Sequence, residues 1–364
     1  MVVVGDNLYD WYMLEAGSKG DGSFDFTGWY DHIAPYAKMA DIAVINQETL
    51  LGGDGGYQSS EKEILNTGYT NRWGSYHGFS AFNTPDEVAY EVIKAGFNVF
   101  TMATNHSWDF GYKALKRTVE FTRTLEGVTT LGIHDSIEDR DTIRIVEKNG
   151  IRIAMLNYTY GTNYPIYEEE GAFAVDRLSK ERIESDVKKA REAADFVVVF
   201  PHWGEEYELT PNSSQKNYTK IFLDCGVDVV VGCHPHVCQT MEVLTSDTGH
   251  KMAVYYSVGN FLSVFKSTDC QLEAMAYIEL CIDGDEKYIK ENTVIPLVNH
   301  WNYDSNVFGK RKNFTVYALQ DYSKELAAQH GCTMFGDGAG FSYDRMKNMA
   351  VQFWGDNIKT VEFK

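Results

Sequence analysis

No run of about 18 apolar residues occurs anywhere in the 364-residue sequence, so no stretch reads as a membrane-spanning helix. Basic side chains are also in short supply. Thirty-three lysines and arginines stand against 52 aspartates and glutamates, a formal charge of −19. That balance excludes a protein that tracks nucleic-acid phosphates or adsorbs to anionic lipid, and no nucleic-acid partner is expected. An anionic substrate would need local help, for which metal is the natural source. Cysteine is sparse and dispersed, at positions 225, 233, 238, 270, 281 and 332, which excludes a disulfide scaffold and predicts reduced, packed thiols. Internal repeats, low-complexity linkers and the motifs GxxxxGK[ST], GxGxxG and GxSxG are missing too, and with them the chemistry each supports.

What is present is 44% apolar residues over a length sufficient for one large α/β domain. The apolar residues come in short runs that read as buried strands, and the residues just past each run are unusual. Gly232-Cys233-His234-Pro235-His236 follows the run Val227 to Val231, so two imidazoles flank a proline on a stiff loop at a strand end. Val2-Val3-Val4 ends in Gly5-Asp6, Ile42 to Ile45 ends in Asn46-Gln47-Glu48, Phe97 to Met102 leads to Asn105-His106, and Phe196 to Phe200 leads to His202. Open α/β sheets place their chemistry at such carboxyl ends. Each residue alone has an ordinary reading, as a turn aspartate or a histidine packed beside Trp108 or Trp203. Five such ends together point to one polar site. Asp6, Glu48, Asn105, His202, His234 and His236 make an oxygen and nitrogen ligand set suited to Mn²⁺, Fe²⁺ or Zn²⁺ without thiolate, and a shared carboxylate would allow two ions. His106, not needed as a ligand, is left as an acid for a leaving group.

Elsewhere the pattern predicts a helix over 33–39 and a Thr84 capping box opening a helix that runs to Ala95 with Gly96 as its cap. Further helices are expected over 113–125, 179–194 and 215–225, and a hairpin turning at Asn149-Gly150. The glycine- and aromatic-rich stretch 52–80, with Tyr57, Tyr69, Trp73, Tyr76 and Phe79, is expected to be an ordered flap over the site. Residues 1–299 read as one domain and 300–364 as an extension packed on it.

The order of motifs resembles the bacterial capsule synthesis family typified by CapA, the poly-γ-glutamate biosynthesis protein, a branch of the calcineurin-like metallophosphoesterases. The residues that carry the resemblance are Gly5-Asp6, Asn46-Gln47-Glu48, Thr84-Pro85, Asn105-His106 through Asp109-Phe110-Gly111, His202-Trp203-Gly204-Glu205-Glu206-Tyr207, Gly232 to His236, and Tyr256 to Phe261. The resemblance implies a four-layer α/β/β/α sandwich with the site at the strand ends. It implies one metal on Asp6, Glu48 and His236, a second on Glu48, Asn105, His202 and His234, and His106 as the acid. Asn46, Asp109, Trp203, Glu205 and Asn260 would support the ligands or meet substrate. Standard calcineurin-like enzymes open with Asp-x-His and bridge their metals with an aspartate, whereas here Asn7-Leu8 follow Asp6 and Glu48 stands at the bridge, so one tight site is expected beside a weak or absent one. The implied role is in capsule or polyglutamate assembly, with either a metal-dependent hydrolase acting on a phosphoester or surface polymer or a polyanion-binding component retaining a degenerate site. Membrane synthase partners, and an extracytoplasmic location tethered by a leader ahead of Met1, are expectations of the same kind.

Overall fold

The computed structural model describes residues 1–54, 78–167, 169–304 and 310–363. The flap expected over 52–80 thus lies, for residues 55–77, outside the described residues. The strands are β1 Val2–Asn7, β2 Ala43–Gln47, β3 Val99–Thr101, β4 Thr129–Leu131, β5 Arg144–Lys148, β6 Ile151–Thr159 and β7 Phe196–His202. They continue with β8 Val229–Val231, β9 Met241–Thr245, β10 Lys251–Tyr255, β11 Asn260–Leu262, β12 Leu272–Asp283, β13 Glu286–Tyr303 and β14 Arg311–Ala318. The helices are α1 Trp11–Gly17, α2 Ala34–Lys38, α3 Glu87–Ala95, α4 Gly111–Thr122, α5 Ile137–Asp141, α6 Lys180–Ala193, α7 Ser213–Cys225, α8 Lys324–Ala328 and α9 Tyr343–Trp354. None of them is long and apolar enough to cross a membrane.

Two sheets form. One runs β14-β13-β12-β1-β2-β3-β4 with β11 also on β1, and the other runs β5-β6-β7-β8-β10-β9. The segments β1 to β4 are parallel neighbours joined by helical crossovers, which is why β1 and β2 read as continuous apolar runs. In the second sheet β6, β7, β8 and β10 are parallel, and the antiparallel β5 and β9 close its edges.

Side-chain alternation explains the layering. On β7, Phe196, Val198 and Phe200 join the large core between the sheets, while Val197 and Val199 join Ile183, Val187 and Ala190 of α6 in a second core. The same division separates Val229 and Val231 from Val230 on β8. Two sheets therefore face each other, with α3 and α4 covering the first and α6 and α7 the second, the four-layer α/β/β/α arrangement. The carboxyl ends of both parallel sets meet at one edge. Asn157 on β6 ties the sheets there, its Oδ1 accepting from the backbone N–H groups of Met102 at 2.9 Å and Ala103 at 2.6 Å.

Local expectations fare unevenly. Asn149 and Gly150 both take positive φ, as a I′ turn requires, and Gly96 closes α3 in the left-handed region. The Thr84 capping box does not form, because its hydroxyl bonds Thr49 Oγ1 at 2.6 Å and α3 begins only at Glu87. The boundary drawn at 299/300 falls inside β13, whose pairing with β14 runs from Leu297 to Tyr303. Residues beyond 300 thus complete the first sheet. All six cysteines are free, four of them buried.

His134 clamps the two halves at one side. Its Nδ1 lies 3.2 Å from Asp139 and its Nε2 2.7 Å from Asp176, with Arg144 and Arg182 paired to the same carboxylates. Burial alone would lower its pKa, but the two carboxylates outweigh that and raise it. A raised folded-state value means the imidazolium stabilises the fold below the ordinary histidine pKa and loses that contribution as pH rises through the folded value. His134→Ala is expected to cost about 1–3 kcal/mol near pH 6. The deficit should shrink toward about pH 9. Urea unfolding of both proteins at the two pH values checks this, and an equal deficit at both would mean an uncharged clamp.

Candidate metal centre

Asp6 sits where β1 leaves the core, and it is fully buried. Gly5 before it must be glycine for want of room, since a Cβ there would lie 1.9 Å from the Gly259 carbonyl oxygen. Asp6 Oδ1 accepts from Asn46 Nδ2 at 2.7 Å, and Oδ2 accepts from the His234 backbone N–H at 3.2 Å. Asn46 Nδ2 also lies 3.4 Å from His202 Nδ1, and its Oδ1 accepts from Thr101 at 2.8 Å. One amide therefore positions a carboxylate from the first sheet and an imidazole from the second.

Glu48, just past β2, is 1% exposed, and neither of its carboxylate oxygens has a hydrogen-bond partner. Leaving a buried carboxylate bare costs several kcal/mol on the order of a lost ion partner. Its Oε1 lies 3.7 Å from His202 Nε2 and 4.0 Å from His106 Nε2. His234 Nδ1 is likewise buried and unpartnered. His202 Nε2 is 2.8 Å from Asn105 Oδ1, and His236 Nδ1 is 2.9 Å from Asn260 Oδ1, whose amide donates back to the His236 carbonyl at 3.0 Å. The Asn260 bond fixes the His236 ring and leaves its other nitrogen available, whereas His202 turns Nε2 to both Asn105 and Glu48 and Nδ1 to Asn46.

Two trios of donor atoms, Asp6 with Glu48 and His236, and Glu48 with His202 and His234, each lie within 4.8 Å of one another. Glu48 belongs to both. Bare carboxylate oxygens, unpartnered imidazole nitrogen and the hard-to-borderline donor set fit a divalent cation.

The electrostatics agree. Burial, reinforced by Asp6, raises the Glu48 pKa to about 8. Burial depresses His234 to about 3 and His202 well below its ordinary value, so both rings are neutral and ready to ligate. Burial would also lower His236, but Glu48 and Asp6 hold it up at about 9.

His106 lies beside this group. Its Nδ1 is 2.7 Å from Asp109 Oδ2, which also accepts from the Phe82 N–H at 2.7 Å, and the Phe82 ring meets the imidazole edge-on at 4.6 Å. Burial lowers its pKa, but Asp109 and Glu48 raise it above the usual value, which favours the protonated ring, and Nε2 faces the cluster.

A cavity of about 630 Å³ opens from His106, His236 and Glu206. Leu8, Phe79, Phe82, Tyr207 and Phe265 form apolar walls, and Lys266 and Arg311 stand among Asp10, Asp269 and Asp337.

The structure therefore gathers Asp6, Glu48, Asn105, His106, His202, His234 and His236 at one place, with Asn46, Asp109 and Asn260 beneath them. Trp203 is not among them. Its ring lies in the second core against Phe222 and Tyr256, its Nε1 donating to the Tyr256 carbonyl at 2.9 Å, because it follows His202 and so faces the opposite side of the sheet. Glu205 is exposed, and the neighbouring acid Glu206 is the one that reaches the histidines. Glu273, fully buried and so close to Gly259 that a Cβ added there would lie 2.3 Å from its Oε2, is near enough to feel the Asp6 charge and had no signal in an otherwise ordinary strand. Asn163, whose Oδ1 accepts from Asn105 Nδ2 at 3.3 Å and whose Nδ2 sits 3.4 Å from both His106 ring nitrogens, was equally silent.

The sequence model of the bacterial capsule synthesis protein PGA_cap matches residues 1–264. The capsule biosynthesis protein CapA of Bacillus anthracis is 30% identical over 273 residues, covering 72% of this chain and 59% of that protein. The PGA biosynthesis protein CapA of Bacillus subtilis strain 168 is 27% identical over 235 residues, covering 64% and 56%. The chain thus spans less than two thirds of the length of either relative. Among solved structures, a putative 5'-nucleotidase from Staphylococcus aureus is 15% identical with a TM-score of 0.46, covering 84% of this chain and 56% of that one.

Proposed function

The chain belongs to the bacterial capsule synthesis protein family, PGA_cap, and from that premise we propose that it serves capsule or poly-γ-glutamate assembly as a metal-dependent hydrolase of a phosphoester or of a bond in an anionic surface polymer. The observation that carries this reading is Glu48, a buried carboxylate with both oxygens bare and common to both donor trios. Asp6, Glu48 and His236 would hold one ion, and Glu48, Asn105, His202 and His234 the other. A bound divalent ion supplies positive charge that polarises a substrate oxygen and acidifies water. The residues of the chain do the rest. Asn46 and Asn260 hold the ligands in place, the cavity beside His236 receives the substrate, and His106 holds at Nε2 the proton that the leaving group needs. An extracytoplasmic setting beside membrane synthase partners belongs to the same proposal.

One observation favours the alternative of polyanion binding without turnover. Asn7 is tied to Gln47 at 2.8 Å and to Tyr30 at 2.9 Å, and Leu8 lines the cavity at the position where the calcineurin-like Asp-x-His pattern has its histidine, so the first trio is short of a nitrogen ligand. The expected result is therefore one tight and one weak ion per chain when metal-free protein is titrated with Mn²⁺ or Zn²⁺, with phosphoester turnover following the tight one. Two equally tight ions would reject the asymmetry. Metal-dependent polyglutamate binding with no turnover on any phosphoester or γ-glutamyl polymer would replace the hydrolase reading with the binding one.

A further inference from the structure

We propose that Glu206 is an additional metal ligand, closing the centre from the solvent side where Leu8 leaves the first trio incomplete. The inference rests on the metal-centre reading above. Three observations carry it. A Glu206 carboxylate oxygen and ring nitrogens of His234 and His236 all lie within 4.8 Å of one another, a third donor trio that shares one imidazole with each of the other two. The buried His234 Nδ1, without a hydrogen-bond partner, belongs to the same side chain that Glu206 approaches. Leu8 and Glu206 both line the cavity with His236, so the carboxylate reaches the group from the space that the leucine cannot serve.

The loop that bears Glu206 is built to hold it there. Tyr207 donates its backbone N–H to the Pro235 carbonyl at 2.8 Å, and Gln239 Nε2 donates to the Glu208 carbonyl at 2.7 Å, so the two residues that follow Glu206 are fastened to the His-Pro-His loop and to Gln239 just beyond it. Non-glycine residues in the left-handed region cluster on these two loops, at Tyr207, His234 and His236. Strain of this kind persists only where surrounding contacts enforce it, and it accumulates at functional positions. Glu206 also differs from the other donors in being exposed, so it can be displaced by an anionic oxygen of the substrate without unfolding anything around it. A carboxylate in this position suits a hard or borderline divalent cation and completes the first group at four protein donors.

The test uses the full chain stripped of metal and titrated calorimetrically with Mn²⁺ and with Zn²⁺ alone. Glu206→Gln should weaken the weaker ion by about tenfold or more. It should leave the tighter ion less affected, and Glu205→Gln should match wild type at both. Equal melting of the metal-free proteins would show that the loss is one of ligation and not of folding. Glu206→Gln binding both ions within about twofold of wild type, a change smaller than any ligand loss, would overturn the assignment while leaving the metal centre standing. Wild type that binds no ion would overturn both together.

Discussion

Glu48→Gln should abolish tight metal binding and turnover while making the metal-free protein more stable than wild type. Both halves follow from one geometry. The carboxylate lies in both inner donor trios, so its loss removes a ligand from each ion. Removing even an outer partner of a metal ligand commonly costs 10–100-fold, roughly, so losing a shared ligand should exceed about 10²-fold. Without metal the same carboxylate is buried and bare, and burial with Asp6 raises its pKa to about 8. An acid whose folded value lies above its unfolded value costs stability that grows as pH climbs from the ordinary carboxylate range toward the raised value. Metal-free wild type should therefore lose on the order of a few kcal/mol across that window, and Glu48→Gln should not. Metal reverses the sign, because the ion needs the ionised form. Thermal melts of both proteins across that pH range, with and without chelator, read all of this. A metal-free glutamine variant less stable than wild type would mean that Glu48 has a protein partner after all.

His106→Ala should leave metal content unchanged and reduce turnover by about 10² to 10⁴ on substrates with basic leaving groups. Among the described residues no donor trio contains His106, whereas Asp109 and Glu48 raise the pKa of its ring beside the cluster. An activated nitrophenyl ester departs without a proton, so its hydrolysis should fall much less. Asp109 acts through the ring, and Asp109→Asn should move the alkaline limb of the rate profile to lower pH because the imidazolium loses the carboxylate that raises its pKa. Equal turnover by His106→Ala and wild type over both kinds of leaving group would remove the acid role.

Most of this site was legible because chemistry follows where apolar runs stop. Asp6, Glu48, Asn105, His202, His234 and His236 each stand within a few residues of a buried strand, and the parallel order brings those ends together. What stayed hidden depended on partners remote in sequence. Thr84 has the form of a helix cap, but Thr49, 35 residues away, takes its hydroxyl. Glu205 and Glu206 are chemically alike, and the loop that turns Glu206 to the histidines, with positive φ at Gly204 and Tyr207 and the Tyr207 N–H bonded to Pro235, has no signature in the sequence. Trp203 could have been set aside by alternation alone, since His202 pointing inward puts its neighbour outward. Glu273 and Asn163 lie on stretches with no chemical signature and become meaningful only when the sheets close.

The strand that runs through residues 299 and 300 bears on where this protein can be cut. β1, the support of Asp6, is sandwiched between β2 on one side and β11 and β12 on the other, and β12 is in turn covered by β13 and β14. The family match ends at residue 264, before any of β12 to β14. A piece trimmed to that match would leave the N-terminal half of β1 with unpaired backbone donors and acceptors along an apolar run, a template for association with other chains. The segment beyond the family match therefore covers β1 as well as lending Phe265, Lys266, Asp269, Arg311 and Asp337 to the cavity, and a cut at residue 264 would remove both.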